Sequence, residues 1–185
     1  MSSPLSIQRT LDVVVFTTTK RLEGGFRSQK GRLADSVNMP LTGQLSLQPV
    51  TCRSLFSSQS DTLVASSIMF KRETAILMML QGGMAADGDP PANVYQERSP
   101  YPAVVEAGPF TVSGEVRPLN GRTVQQYIFE TALPFLAVTS AEVVFHPDPA
   151  SNFSSDFVLV GRQWITAVVE GVQRMTDSGM RVSGR

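Results

Sequence analysis

Residues 24–32 read GGFRSQKGR, and ninety positions on residues 114–122 read GEVRPLNGR. Gly24, Arg27, Gly31 and Arg32 fall on Gly114, Arg117, Gly121 and Arg122 without a gap. A G-x-x-R-x-x-x-G-R frame that returns once in 185 residues points to one small unit written twice. The glycines say what kind of unit it is. Gly24 and Gly114 stand inside extended runs, where a residue without Cβ marks a sharp bend or a bulge. Gly31 and Gly121 stand where a strand gives way to a helix, a place that favours φ above zero. The expected fold is therefore mainly β, a tandem duplication of a small five-stranded β-barrel, each copy with one short helix.

Outward from the frame, the same order of elements is legible twice. VVVFTTT, the charged turn Lys20-Arg21 and the stretch through Leu22, Gly24 and Phe26 form a hairpin by their β-branched and aromatic content. Leu33 and Val37 stand four apart, enough for one or two helical turns before Pro40 stops them. Strands follow in LSLQPVTCRSL, in TLVASSIMF after the polar turn SSQSD, and in TAILMML ending at Leu80. Beyond residue 100 the order returns as YPAVVEA, FTVSGEVRP, a helical GRTVQQYIFETA, SAEVVFH, DFVLV and WITAVVEGV. Between the two, residues 81–100 hold three Gly and three Pro and mark a connection. The expected division is a first barrel over 10–80, a linker over 81–100, a second barrel over 101–172 and a flexible tail over 173–185. The offset is expected to widen to ninety-four at Pro40 and Pro134, and to ninety-five at Asp61 and Asp156, through a longer helix and turn in the second copy.

Composition excludes whole classes. With 42% hydrophobic residues the chain can bury a core, and a formal net charge of +0 gives no global pull towards polyanions. The zero conceals an asymmetry: residues 1–80 carry nine Lys or Arg against five Asp or Glu, +4, and residues 81–185 seven against eleven, −4. The positive excess gathers in Lys20, Arg21, Arg27, Lys30 and Arg32, a candidate interaction rim. The lone Cys52 has no partner for an internal disulfide and reads as a structural thiol. No apolar run reaches the ~18 residues of a spanning helix, and the N-terminus lacks a signal-peptide pattern, so a cytoplasmic, non-membrane protein is expected.

The order of strand, bent strand with an interior Gly, short helical element, two further strands and a last strand resembles the small β-barrel of Sm-like proteins. Asp35 and Asn38 are similar to that family's acidic residue and Asn after the bent strand, whereas the second copy has Gln125 and Ile128 there. VLVGRQWI, residues 158–165, is similar to its second motif with Gly161 and Arg162 in reversed order. In that family the helix precedes the first strand, a departure here. RLADSVN also resembles a stretch of uncharacterised bacterial small-barrel domains. That second likeness names no activity, whereas the Sm-like one implies a barrel whose edges assemble or whose rim meets nucleic acid.

Chemistry is thinly represented. His146 is the single histidine, in a turn near Asp148 and without a G-x-S-x-G elbow. One Cys and one His make no zinc cage, and Gly82-Gly83 precede no helix that would cradle phosphate. No catalytic, metal or cofactor residue is expected, and Trp164 reads as core. Two functions remain. The first is a non-enzymatic structural or protein-interaction module that self-associates or holds a protein partner. The second, less favoured by zero net charge, is a nucleic-acid-binding module using the basic rim on phosphates, with Phe16 or Phe26 for stacking.

Overall fold

The computed structural model describes residues 9–29, 31–40, 43–56, 62–82, 99–118 and 122–170. RTLDVVVF forms β1 (Arg9–Phe16), which turns at Thr17 into β2 (Lys20–Ser28). The Thr17 hydroxyl accepts the Lys20 N–H at 3.1 Å and closes the hairpin. Then come α1 (Leu33–Val37), β3 (Gln44–Ser54), β4 (Leu63–Ala65), β5 (Ile68–Lys71), a 3₁₀ turn (Arg72–Thr74) and β6 (Leu77–Leu80). The stretch TLVASSIMF thus makes two short strands, broken at Ser66 and Ser67, instead of one; and the last strand of this half starts only after the 3₁₀ turn.

The second half runs β7 (Tyr101–Ala107), β8 (Phe110–Val116), α2 (Val124–Glu130) and β9 (Phe135–Phe145). A 3₁₀ turn (Pro149–Ser151), β10 (Phe153–Gly161), a further 3₁₀ turn (Arg162–Trp164) and β11 (Ile165–Glu170) complete it. Thr123 starts α2 with a capping box: its hydroxyl accepts from Gln126 N–H, and the Gln126 side chain returns to the Thr123 N–H.

Among the described residues the strands form one antiparallel sheet in the order β11-β7-β8-β9-β10-β6-β1-β2-β3-β4, with β5 also on β3. Each half contributes its strands in the sequence last, first, second, third, fourth. Neither set closes on itself. The last strand of the first half, β6, has β1 on one side, and its other side is taken by β10 of the second half. The sheet is therefore open, its ends being β11 and the β4–β5 pair.

Register repeats residue by residue. Val13↔Gly24 becomes Ala103↔Gly114, and Val15↔Met78 becomes Val105↔Val168, each residue ninety positions on. Ile68↔Leu47 becomes Val158↔Val138, with the fourth strand at ninety and the third at ninety-one. The widening to ninety-four expected from Pro40/Pro134 does not occur, and Asp61, of the pair expected at ninety-five, lies outside the described residues. Pro134 takes the place of Gly43: the two carbonyls accept the N–H of Arg162 at 2.9 Å and of Arg72 at 3.1 Å. The two extra residues of α2 are absorbed by a shorter run into β9.

The central strands explain the continuous apolar runs of the sequence, because both their faces are covered. On one face Val14, Phe16, Leu77, Val158 and Val160 join the apolar residues of β7, β8, β9 and α2. On the other, Val13, Val15, Met78 and Leu159 join those of β2, β3 and α1. The sheet is strongly curled. Four strand spacings separate β8 from β1 along the sheet, ~19 Å if it were flat. Yet the Phe110 and Phe16 rings meet edge to face with centroids 5.4 Å apart.

The frame glycines sit at the bends. Register shifts between Gly24 and Phe26 on β2, and between Ser113 and Glu115 on β8. A Cβ on Gly24 would stand 2.1 Å from the Pro49 carbonyl oxygen, and one on Gly114 would stand 2.7 Å from that of Thr139. Only a residue without a side chain lets the third strand come this close. Gly31 has φ +79° and open space around it, so its requirement is one of backbone conformation alone. Gly121, Lys30 and residues 83–98 and 171–185 lie outside the described residues.

Candidate functional site

The residues of the basic rim are spread along β2 and the start of α1. Lys20 and Arg21 open β2, and Arg27 comes near its far end, about 20 Å away at the rise of an extended chain. Arg32 is the N-cap residue of α1, and Lys30 lies outside the described residues. Arg21 is engaged: its Nε meets Glu23 Oε1 at 2.9 Å, and its guanidinium lies 5.7 Å from the centroid of the Phe16 ring. In the second half the frame arginine Arg117 pairs with Glu115 at 3.8 Å on the surface. Phe16 and Phe26, expected as stacking platforms, are buried in the two cores, because both point inward from strands covered on that face.

A groove of about 1050 Å³ lies across the junction of the halves. Val14, Phe16 and Met79 supply apolar lining, with Arg21 and Glu23 from β2 and Glu142 and Asp156 from β9 and β10. Three carboxylates against one guanidinium, itself paired with Glu23, make these walls unsuited to a polyanion. Ser140, also in the lining, has φ +50° at the bend of β9.

What sequence reading missed is a pair of arginines, Arg72 and Arg162, ninety apart and each opening the 3₁₀ turn before its last strand. Arg72 Nη1 donates to the carbonyls of Val37 at 3.2 Å and Met39 at 2.8 Å. Arg162 Nη1 donates to the carbonyls of Tyr127, at 3.0 Å, and Ile128. Each guanidinium thus satisfies carbonyls in the C-terminal half of its helix or just beyond it, where the helix dipole also favours a cation. Burial pulls Arg162 below the ordinary guanidinium pKa, an effect Tyr127 partly opposes. Arg72 and Arg162 also line one pocket of about 490 Å³. Its wall is tied by Trp164, whose indole N–H donates to the Glu73 carbonyl at 2.9 Å. By the ninety-residue offset Trp164 corresponds to Thr74. The signal available was that offset itself, carried past the glycine frame to Lys71-Arg72-Glu73 and Gly161-Arg162-Gln163.

Asn38, singled out for its resemblance, ties the halves: its Oδ1 accepts the N–H of Phe135 at 2.9 Å. His146 is an exposed turn residue beside Thr111 and Glu106. The Thr111 hydroxyl donates to Glu106 Oε2 at 2.7 Å and lies 2.8 Å from His146 Nε2. Its single proton is committed to the carboxylate, so Nε2 is the donor towards Thr111 and not a base for it. Among the described residues no three His, Cys, Asp or Glu gather as a metal site, and no helix is long and apolar enough to cross a membrane.

Set against known proteins, the chain matches no family model, no curated protein and no solved structure.

Proposed function

We propose that the protein is a non-enzymatic structural or protein-interaction module: a tandem duplication of a small, curled five-stranded unit resembling Sm-like barrels, which self-associates. The observation that carries the reading is at the ends of the sheet. Leu63, Val64 and Met69 on β4 and β5, and Val169 on β11, are large apolar side chains left exposed. They lie on strands with one backbone edge unpaired among the described residues. Exposed apolar edges invite pairing with another chain and are a liability unless used. Duplication is supported by the repeated register, by the Arg72/Arg162 pair and by the bends at Gly24 and Gly114. The units would span residues 10–80 and 101–172. The opposite charges of the halves, +4 and −4, suit contacts between unlike ends of neighbouring molecules.

Light scattering over a concentration series at ~150 mM salt, beside fluorescence anisotropy with single-stranded RNA and DNA, tests the reading. Mass above the monomer with negligible nucleic-acid binding is expected. A monomer that binds either strand tightly reverses it in favour of the basic residues of β2, and Arg27→Glu with Lys30→Glu then shows whether they form the site.

A further inference from the structure

One strand junction of the sheet joins the two halves, and it supplies a template for joining two molecules. The fourth strand of the second half, β10, pairs with the last strand of the first, β6, as Val158↔Met79, Leu159↔Met78 and Val160↔Leu77. Five of these six side chains are fully buried. The equivalents of these two strands are β5 and β11 at the two open ends. Ninety positions back from Val158, Leu159 and Val160 stand Ile68, Met69 and Phe70 of β5, held on β3 in the register that β10 has on β9. Ninety positions on from Leu77, Met78 and Met79 stand Ala167, Val168 and Val169 of β11, held on β7 as β6 is on β1. Where the junction is made, Leu159 is fully buried and Met79 half-buried; at the open ends their counterparts Met69 and Val169 are 68% and 51% exposed.

We propose, on the reading that the protein self-associates, that molecules join head to tail by repeating this junction. β5 of one copy pairs antiparallel with β11 of the next as Ile68↔Val169, Met69↔Val168 and Phe70↔Ala167. The backbone supports the register. Gly161 N–H donates to the Ile76 carbonyl at 2.8 Å, which makes Leu159/Met78, two residues along, a hydrogen-bonded pair of the same ladder. Met69 and Val168 inherit that role, so their N–H and C=O groups point out of the two open edges. Each molecule then offers one edge of each kind. The contact is heterologous, and it closes into a ring if the rotation per copy divides a full turn, or grows as a filament if it does not. The β5 end belongs to the +4 half and the β11 end to the −4 half, so neighbours approach with unlike charge.

Two substitutions at exposed side chains, Met69→Lys and Val169→Lys, test this, because lysine on an edge opposes strand addition. Circular dichroism checks that each variant is folded. In light scattering the unaltered protein is expected to assemble, and each variant alone to be a monomer. An equimolar mixture should stop at a dimer, since one sound β5 edge then meets one sound β11 edge and growth ends there. Register is read separately. In a Cys52→Ser background, Ile68→Cys with Val169→Cys should cross-link between molecules on oxidation, and Phe70→Cys with Val169→Cys should not. Assemblies that survive both lysine substitutions, or cross-linking that ignores register, overturn the pairing while leaving self-association standing. An unaltered protein that stays monomeric at every concentration removes both.

Discussion

Three glycines with different surroundings separate close backbone approach from backbone conformation. In Gly24→Ala the new Cβ would stand 2.1 Å from the Pro49 carbonyl oxygen. That is on the order of 1 Å inside an ordinary carbon–oxygen contact. The obstacle is backbone, so β2 and β3 must part at the bulge. Overpacking of this kind costs about 1–3 kcal/mol, and a lost ladder hydrogen bond adds about 1 kcal/mol. A loss on the order of 3 kcal/mol lowers the melting temperature by roughly 6–12 °C in a chain of this size. In Gly31→Ala nothing lies within 4 Å, and the cost is the left-handed φ of +79°, about 1 kcal/mol. Gly43→Ala meets neither obstacle, and its loss of chain freedom when unfolded makes it neutral or stabilising by up to ~0.5 kcal/mol. Urea denaturation of the three variants gives the order directly. If Gly24→Ala is no worse than Gly31→Ala, the close approach of the third strand is not what demands glycine there.

Replacing Arg72 or Arg162 by Lys keeps the charge but loses the planar fork that reaches two carbonyls; each is expected to cost about 1–2 kcal/mol in urea midpoints, and indifference at both positions would refute their role as helix anchors. Asn38→Ala removes the side chain that receives the Phe135 N–H and is expected to lose about 1–2 kcal/mol, whereas Asn38→Asp, which keeps the acceptor, should lose less. Thr123→Ala breaks the capping box of α2 at a cost of about 1 kcal/mol, measurable as a fall in melting temperature of roughly 2–4 °C.

Much of the fold was legible because local rules and tertiary structure agree. The β-branched content of VVVFTTT and YPAVVEA, the short helices around Leu33 and Tyr127, and the glycines at the bends all lie where chain chemistry and packing make the same demand. The misreadings lie where they diverge. TLVASSIMF carries a continuous strand pattern, but the chain breaks it at Ser66 and Ser67 into two short strands that both pair with β3. Phe26 adjoins Arg27 and Phe16 stands four residues before Lys20, a pattern compatible with stacking platforms. A strand, however, gives successive side chains to opposite faces, and here Phe16 points into one core and Phe26 into the other.

By itself, the sequence determined that the chain is mainly β, that its elements come twice in one order, and that glycine stands at the bends, since each of these follows from a residue and its near neighbours. Only tertiary structure decided where the two sets of strands meet. Backbone hydrogen bonds are blind to side-chain identity, so nothing in LMML or FVLV says which strand will take their open edge. That choice falls to the curl of the sheet, which brings Phe110 within 5.4 Å of Phe16 and lets β10 reach β6. The same junction brings Arg72 and Arg162 to the lining of one pocket and, among the described residues, leaves β5 and β11 at the two ends of the sheet.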